Sequence, residues 1–142
     1  VVPNKSPLRI VMVDDDRDDV FLTKMAFKRA DFATDFAGLN SGKSLFEYIK
    51  NNGIGSVDLL LLDLNMPIQN GHDILKELST YPHIEDLCVV MFSTSRRAID
   101  KEIAERLGAS AFIVKPGTVS ETNEFVKNVG EIFKTSAYEM AC

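Results

Sequence analysis

The sequence predicts an α/β fold, a doubly wound five-stranded parallel sheet with helices on both faces. Three observations carry that prediction. Short apolar runs, too brief for globular helices, alternate five times with segments of helical period. The central run, Leu59 to Leu62, is apolar at every position, as a strand covered on both faces of a parallel sheet must be. No linker, repeat or low-complexity stretch divides the 142 residues, which amount to one domain around one core.

Leu8 to Val13 is a β-branched and apolar strand, stopped by Asp14, Asp15 and Asp16. From Arg17, the residues Val20, Phe21, Met25, Ala26 and Phe27 recur at helical spacing, and Asp18 and Asp19 suit a helix's positive end; the pattern fades near Ala30. Ala33 to Ala37 is a weaker strand. Ser41 opens a helix with Leu45, Phe46 and Ile49 on one face, and Asn51, Asn52 and Gly53 stop it. The leucine strand then ends in Asp63, with Asn65 and Pro67 breaking it. After Asn70 and Gly71, Ile74, Leu75 and Leu78 mark a third helix, closed by Tyr81 and Pro82. Leu87 to Phe92 is the fourth strand, ended by Ser93, Thr94 and Ser95. The charged helix that follows is predicted to bury Ile99, Ile103 and Leu107 before Gly108. Ala111 to Val114 is the fifth strand, cut off by Lys115 and Pro116. The last helix, Val119 to Phe133, is predicted to bury Phe125, Val126, Val129, Ile132 and Phe133.

Apolar content of 45% and charged content of 26% are those of an ordinary globular protein. A net charge of -5, with basic pairs only at Lys28–Arg29 and Arg96–Arg97, argues against a nucleic-acid surface. No apolar run approaches the ~20 residues that span a bilayer, and the start lacks a signal-peptide pattern, so no membrane contact and a cytoplasmic location are expected. Cys88 lies in a strand and Cys142 is terminal, so two reduced thiols are expected.

In a parallel sheet all strand ends of one sense share an edge, where open α/β folds place ligands. That edge receives Asp14 and Asp15 from the first strand, Asp63 from the third, Ser93 from the fourth and Lys115 from the fifth. Three converging carboxylates need a bound cation or Lys115 to offset their repulsion. Hard oxygen ligands suit Mg²⁺, and such a site fits phosphoryl chemistry better than proton transfer. A Rossmann turn is excluded, since aspartates stand where glycines would cradle a pyrophosphate. A calcium loop fails at Asp19, where its turn glycine belongs, and at Met25, where its bidentate glutamate belongs. A haloacid-dehalogenase-type phosphatase needs a second aspartate where Asn65 stands, and a cap domain.

From about Leu8 to Phe133 the chain resembles the receiver domains of two-component response regulators. The resemblance rests on four motifs in order: the Asp14–Asp15 pair, the Asp63 strand running into Met66 and Pro67, the hydroxyl at Ser93, and Lys115–Pro116. It implies a flavodoxin-like strand order 2-1-3-4-5, with 8–135 the receiver domain; residues 1–7, with two prolines and no periodicity, read as a flexible lead-in and 136–142 as a C-terminal tail. It further implies that Asp63 accepts a phosphoryl group from a phosphohistidine on a sensor histidine kinase or histidine phosphotransfer protein. Mg²⁺ would be held by Asp15, Asp63 and the carbonyl of Asn65, with Asp14 acting directly or through water. Lys115 and Ser93 would contact the phosphoryl oxygens, and Phe112 matches the family's switch aromatic. The expected protein is a stand-alone switch with self-catalysed phosphorylation and dephosphorylation, not an enzyme. Its unknown output partner would meet a surface carrying Arg96, Arg97, Lys101, Glu105 and Arg106. An unphosphorylated receiver-like scaffold is the alternative, and a small-molecule aspartyl phosphatase a more distant one. Asn70 and Gly117 depart from the family's common residues. Asp16 reads as a helix-start carboxylate, and His72 and His83 as surface residues.

Overall fold

The computed structural model describes residues 6–135. Five strands, β1 (Leu8–Val13), β2 (Thr34–Leu39), β3 (Leu59–Asp63), β4 (Cys88–Ser93) and β5 (Ala111–Val114), alternate with five α-helices. These are α1 (Arg17–Lys28), α2 (Gly42–Asn52), α3 (Gly71–Leu78), α4 (Ala98–Arg106) and α5 (Val119–Thr135). Every pairing is parallel and the order is β2-β1-β3-β4-β5, as expected. β2 and β4 each begin one residue later than expected, so Ser93 closes β4 instead of following it. Residues 1–5 and the expected tail, 136–142, lie outside the described residues. Among the described residues no helix is long and apolar enough to cross a membrane.

Alternation along the strands sorts the interior into two cores. Val11, Val13, Leu60, Leu62, Val89 and Met91 pack against α2, α3 and α4 through Leu45, Ile49, Ile74, Leu75, Leu78 and Ala104. Ile10, Met12, Leu59, Leu61, Val90 and Phe92 pack against α1 and α5 through Ala26, Phe27, Val126 and Val129. The four leucines of β3 are at most 1% exposed. At ~1.5–3 kcal/mol per buried leucine, that strand alone gains an amount comparable to a domain's net stability.

Four side-chain expectations are corrected. Phe21, Ile99 and Ile132 are exposed, because the stripes that meet the sheet centre elsewhere. They run through Thr23, Ala26 and Phe27 in α1, Ala104 and Leu107 in α4, and Val126 and Val129 in α5, leaving the three apolar residues roughly 90–170° round their helices. Cys88, 4% exposed at the start of β4, is disulfide-bonded and no described cysteine is free, against the expectation of reduced thiols. Nothing in the sequence around Cys88 signals pairing, and Cys142 lies outside the described residues.

The segment after β3 is tightly tied. Leu64 N donates to Phe92 O at 2.8 Å, and Gly71 N donates back to Leu64 O at 2.8 Å, closing a loop. Within it Gln69 N donates to Pro67 O at 2.7 Å, a γ-turn centred on Ile68. Ile68 has φ 68°, a left-handed conformation that costs a β-branched residue ~1–3 kcal/mol, and its side chain is fully exposed. Asn70 caps α3: its side chain accepts from Asp73 N at 2.9 Å, and the Asp73 carboxylate accepts from Asn70 N at 3.3 Å. The helix starts hard against the strand end, for a Cβ on Gly71 would lie 2.6 Å from Asp63 O and 2.8 Å from Leu64 Cα. Gly71→Ala is therefore expected to lower stability by about 1–3 kcal/mol in urea denaturation, despite alanine's better helix propensity. Gly55→Ala, with no heavy atom within 4 Å of the new Cβ, is the control and should change little.

Candidate functional site

Three backbone hydrogen bonds carry the sheet ladder one residue past the strands and fix the edge. Asp14 N donates to Leu39 O at 3.0 Å, Leu64 N to Phe92 O at 2.8 Å, and Lys115 N to Ser93 O at 2.8 Å. The order β2-β1-β3 makes β1 the point where the chain's winding reverses, so the crevice lies between the ends of β1 and β3. Asp14 and Asp63 occupy it, 1% and 3% exposed.

The Lys115 ammonium lies 2.8 Å from Asp14 Oδ2, 2.8 Å from Asp19 Oδ2 and 3.4 Å from Asp63 Oδ1. One carboxylate oxygen from each of Asp14, Asp15 and Asp63 lies within 4.8 Å of the others, close enough to share a cation. Asp15 is exposed, giving the cluster an open side. Asp14 Oδ1 accepts from Asp16 N at 2.9 Å. Asp14 Oδ2 is buried and has no aligned donor, the lysine approaching it as an ion pair outside hydrogen-bonding geometry. An orphaned oxygen beside two further carboxylates fits a hard divalent cation. Asp63 Oδ1 accepts from Asn65 N at 3.4 Å.

Asp16 stands apart from the cluster as the N-cap of α1, accepting from Asp18 N and Asp19 N at 2.9 and 3.3 Å, in keeping with its helix-start reading. Ser93 is fully buried; its Oγ accepts from Ser95 N at 2.9 Å and from Asn65 Nδ2 at 3.2 Å. Of its neighbours, Thr94 is exposed and Ser95 donates to Asp100 Oδ2 at 2.6 Å, turned toward α4. Phe112 is half-buried and packs on the α2–α4 side of the sheet, opposite Met91 in the register that pairs Ser93 with Val114. Ser93 and Phe112 therefore share a face on adjacent strands. Of the residues expected on the output surface, Arg97 pairs with Asp100 at 3.7 Å and Arg106 with Glu102 at 2.6 Å, while Arg96, Lys101 and Glu105 are exposed. His72 is half-buried, its Nε2 3.1 Å from Asp100 O, and joins α3 to α4; His83 is exposed.

Asp19 is the site residue that the sequence reading missed, treating it only as a helix-dipole carboxylate. The available signal was topological: α1 starts at the edge where Lys115 ends β5, so an acid on its first turn faces that lysine.

Burial pushes the Asp63 carboxyl up to about 7, the Asp14 charge adding to the effect and Lys115 opposing it. Asp14 is raised as well, burial outweighing Lys115 and the Asp16 amide. Burial works against the Lys115 charge, but its contacts with the Asp14 and Asp19 carboxylates and the Asp63 charge more than offset it, so its pKa is raised. Burial thus favours a proton on the Asp63 carboxyl up to about neutral pH unless a cation replaces it.

A doubly wound sheet whose edge gathers acids around a lysine is the architecture of a receiver module. The chain belongs to the response regulator receiver domain family, whose model matches residues 10–127. It is 25% identical over 134 residues to the probable methanogenesis regulatory protein FilR2 of Methanothrix harundinacea, covering 92% of this chain and 86% of that protein. The crystal structure of the phosphorylated cyanobacterial phytochrome response regulator RcpA matches with a TM-score of 0.80 and 25% identity, over 92% of this chain and 96% of that one. The Mn(2+)-bound form of response regulator Rcp1 matches in fold with a TM-score of 0.75 and 22% identity, over 89% and 94% of the two chains.

The Asp63 shift sets a pH dependence. Between about 4 and about 7 the folded state holds a proton that the unfolded state has lost, so this group's contribution to stability falls as pH rises through that window and then levels. In EDTA, the stability advantage of Asp63→Asn over the parent should grow from about pH 5 to about pH 8, by on the order of 2 kcal/mol. Urea denaturation at the two pH values measures it; an advantage that shrinks with pH would contradict the burial of Asp63 as a charged group.

Proposed function

We propose that this chain is the phosphoacceptor receiver of a two-component phosphorelay. Asp63 takes a phosphoryl group from a phosphohistidine on a sensor histidine kinase or a histidine phosphotransfer protein. The observation that carries the reading is a buried strand-end carboxylate held 3.4 Å from a half-buried ammonium, beside two more carboxylates able to share a cation. An unphosphorylated scaffold has no need of that arrangement, and burying it costs stability.

In the transfer, an Asp63 carboxylate oxygen forms the bond to phosphorus as the phosphorus–nitrogen bond breaks, and its electron pair returns to the imidazole. The acyl phosphate that results carries charge on its peripheral oxygens, and catalysis is positioning and neutralisation of that charge. Asp15, Asp63 and the Asn65 carbonyl would hold Mg²⁺, with Asp14 acting directly or through water. Bound there, Mg²⁺ offsets both the acids' mutual repulsion and the phosphoryl charge. The open Asp14 Oδ2 and raised Asp63 support this assignment. The Mn(2+)-bound form of Rcp1 and the phosphorylated form of RcpA support it by likeness. Lys115 moves its charge onto the phosphoryl oxygens, and Ser93 donates its hydroxyl to one of them.

Ser93 is the start of the output. Its Oγ leaves its place beside Ser95 N and Asn65, and Phe112, on the same face of the next strand, turns into the vacated space. The altered surface is that of α4, β5 and α5, which meets an output protein. Water returns the switch to its resting state by hydrolysing the acyl phosphate, and the chain acts in the cytoplasm as a switch through protein contacts.

Acetyl phosphate with Mg²⁺ should add one phosphoryl group in intact mass spectra, and EDTA or Asp63→Asn should abolish it. Stoichiometric labelling of the Asp63→Asn protein on the same peptide would sink the assignment. Beryllofluoride with Mg²⁺ should shift amide NMR signals around Phe112 and along α4 and α5, and Ser93→Ala should shrink that response while the Asp63 loop still shifts. Changes confined to the loop in the parent protein would mean that output leaves by another route.

A further inference from the structure

We propose that Asp19 is a positioning residue that parks the Lys115 ammonium and competes for it with a phosphoryl group on Asp63, an inference resting on the reading of Asp63 as phosphoacceptor. Asp19 lies outside the acid cluster suited to a cation, yet its Oδ2 accepts a well-aligned hydrogen bond from the ammonium, at 2.8 Å. The contact to Asp63 is longer, 3.4 Å. At rest the lysine is therefore drawn to the α1 side of the crevice and must move to serve an acyl phosphate.

The two close partners of Lys115 differ in how readily they can release it. The Asp14 side chain is 0% exposed and, stripped of the ammonium, has no water to replace it. The Asp19 side chain is 38% exposed, so water can take over its carboxylate when the lysine leaves. Its backbone is fixed meanwhile, Thr23 Oγ1 donating to Asp19 O at 2.8 Å. A cleft of about 50 Å³ between α1 and α5, lined by Asp19, Thr23, Lys115 and Phe125, leaves the lysine stem room to swing.

A ligand that needs a group held elsewhere binds more weakly by the fraction of time that group is available. For a half-exposed ion pair that factor is several-fold. Removing the Asp19 charge while keeping its shape should therefore strengthen phosphoryl-analogue binding.

The test is an NMR titration of the full chain with beryllofluoride at saturating Mg²⁺. Asp19→Asn should bind roughly two- to fivefold more tightly than the parent, and Asp19→Glu, which keeps the charge, should stay nearer the parent. In the parent itself, the Asp19 carboxyl carbon and the Lys115 ammonium signals should both shift on saturation as the pair separates. Unchanged or weaker binding by Asp19→Asn, or an Asp19 carboxyl signal that stays put, overturns the parking role while leaving Asp63 as acceptor. The carboxyl signal decides the matter by itself if the variant does not fold. Failure of the parent to bind beryllofluoride at all overturns the reading of Asp63 and the parking role with it.

Discussion

The ammonium of Lys115 among three carboxylates is the interaction on which the rest of the structure depends. Asp14 and Asp63 are at the dry end of the sheet, where an unpaired charge costs several kcal/mol, and their like charges oppose each other. Among the described residues a single lysine brings positive charge to that crevice, and it reaches both acids from the end of β5, two strands beyond β3. Its place is set by the backbone, through the bond from Lys115 N to Ser93 O that continues the β4–β5 ladder. One cation facing three acids leaves a deficit of positive charge. That deficit makes the site receptive to a divalent cation, and it adds to the burial that raises the Asp63 carboxyl.

Most of the fold is written in local pattern. The unbroken leucines of β3 announce burial on two faces, and the residues that end each strand announce the edge. β1 and β5 fall where the sequence puts them because charged residues or proline bound them sharply. β2, a weak pattern at the sheet's margin, runs two residues further than expected because its pairing with β1 continues as far as Leu39. Helix faces were less legible. The count of apolar residues cannot say which stripe meets the sheet, so Phe21, Ile99 and Ile132 were placed inside when small or polar residues such as Ala104 and Thr23 hold the contact.

In the site, the strand-end acids and lysine were legible because parallel topology brings one end of every strand together. Asp19 was not, since its role depends on the angle at which α1 leaves that edge, and no local pattern encodes an angle. Ile68 was equally hidden. A left-handed turn is normally flagged by glycine or asparagine, and here an isoleucine accepts the strain because hydrogen bonds on both sides of it fix the loop.

That loop has a consequence for the rate of the chemistry. Residues 64–71 are closed on themselves by the Gly71–Leu64 hydrogen bond, narrowed again at Pro67–Gln69, and butted against Asp63 by a helix that leaves no room for a methyl group. Ordering such a segment costs roughly 1 kcal/mol or more of entropy per residue. Here that disorder is surrendered once, when the protein folds. In the proposed transfer a phosphoryl donor would meet a loop already ordered, and only the side chains of Lys115, Ser93 and Phe112 would be left to rearrange.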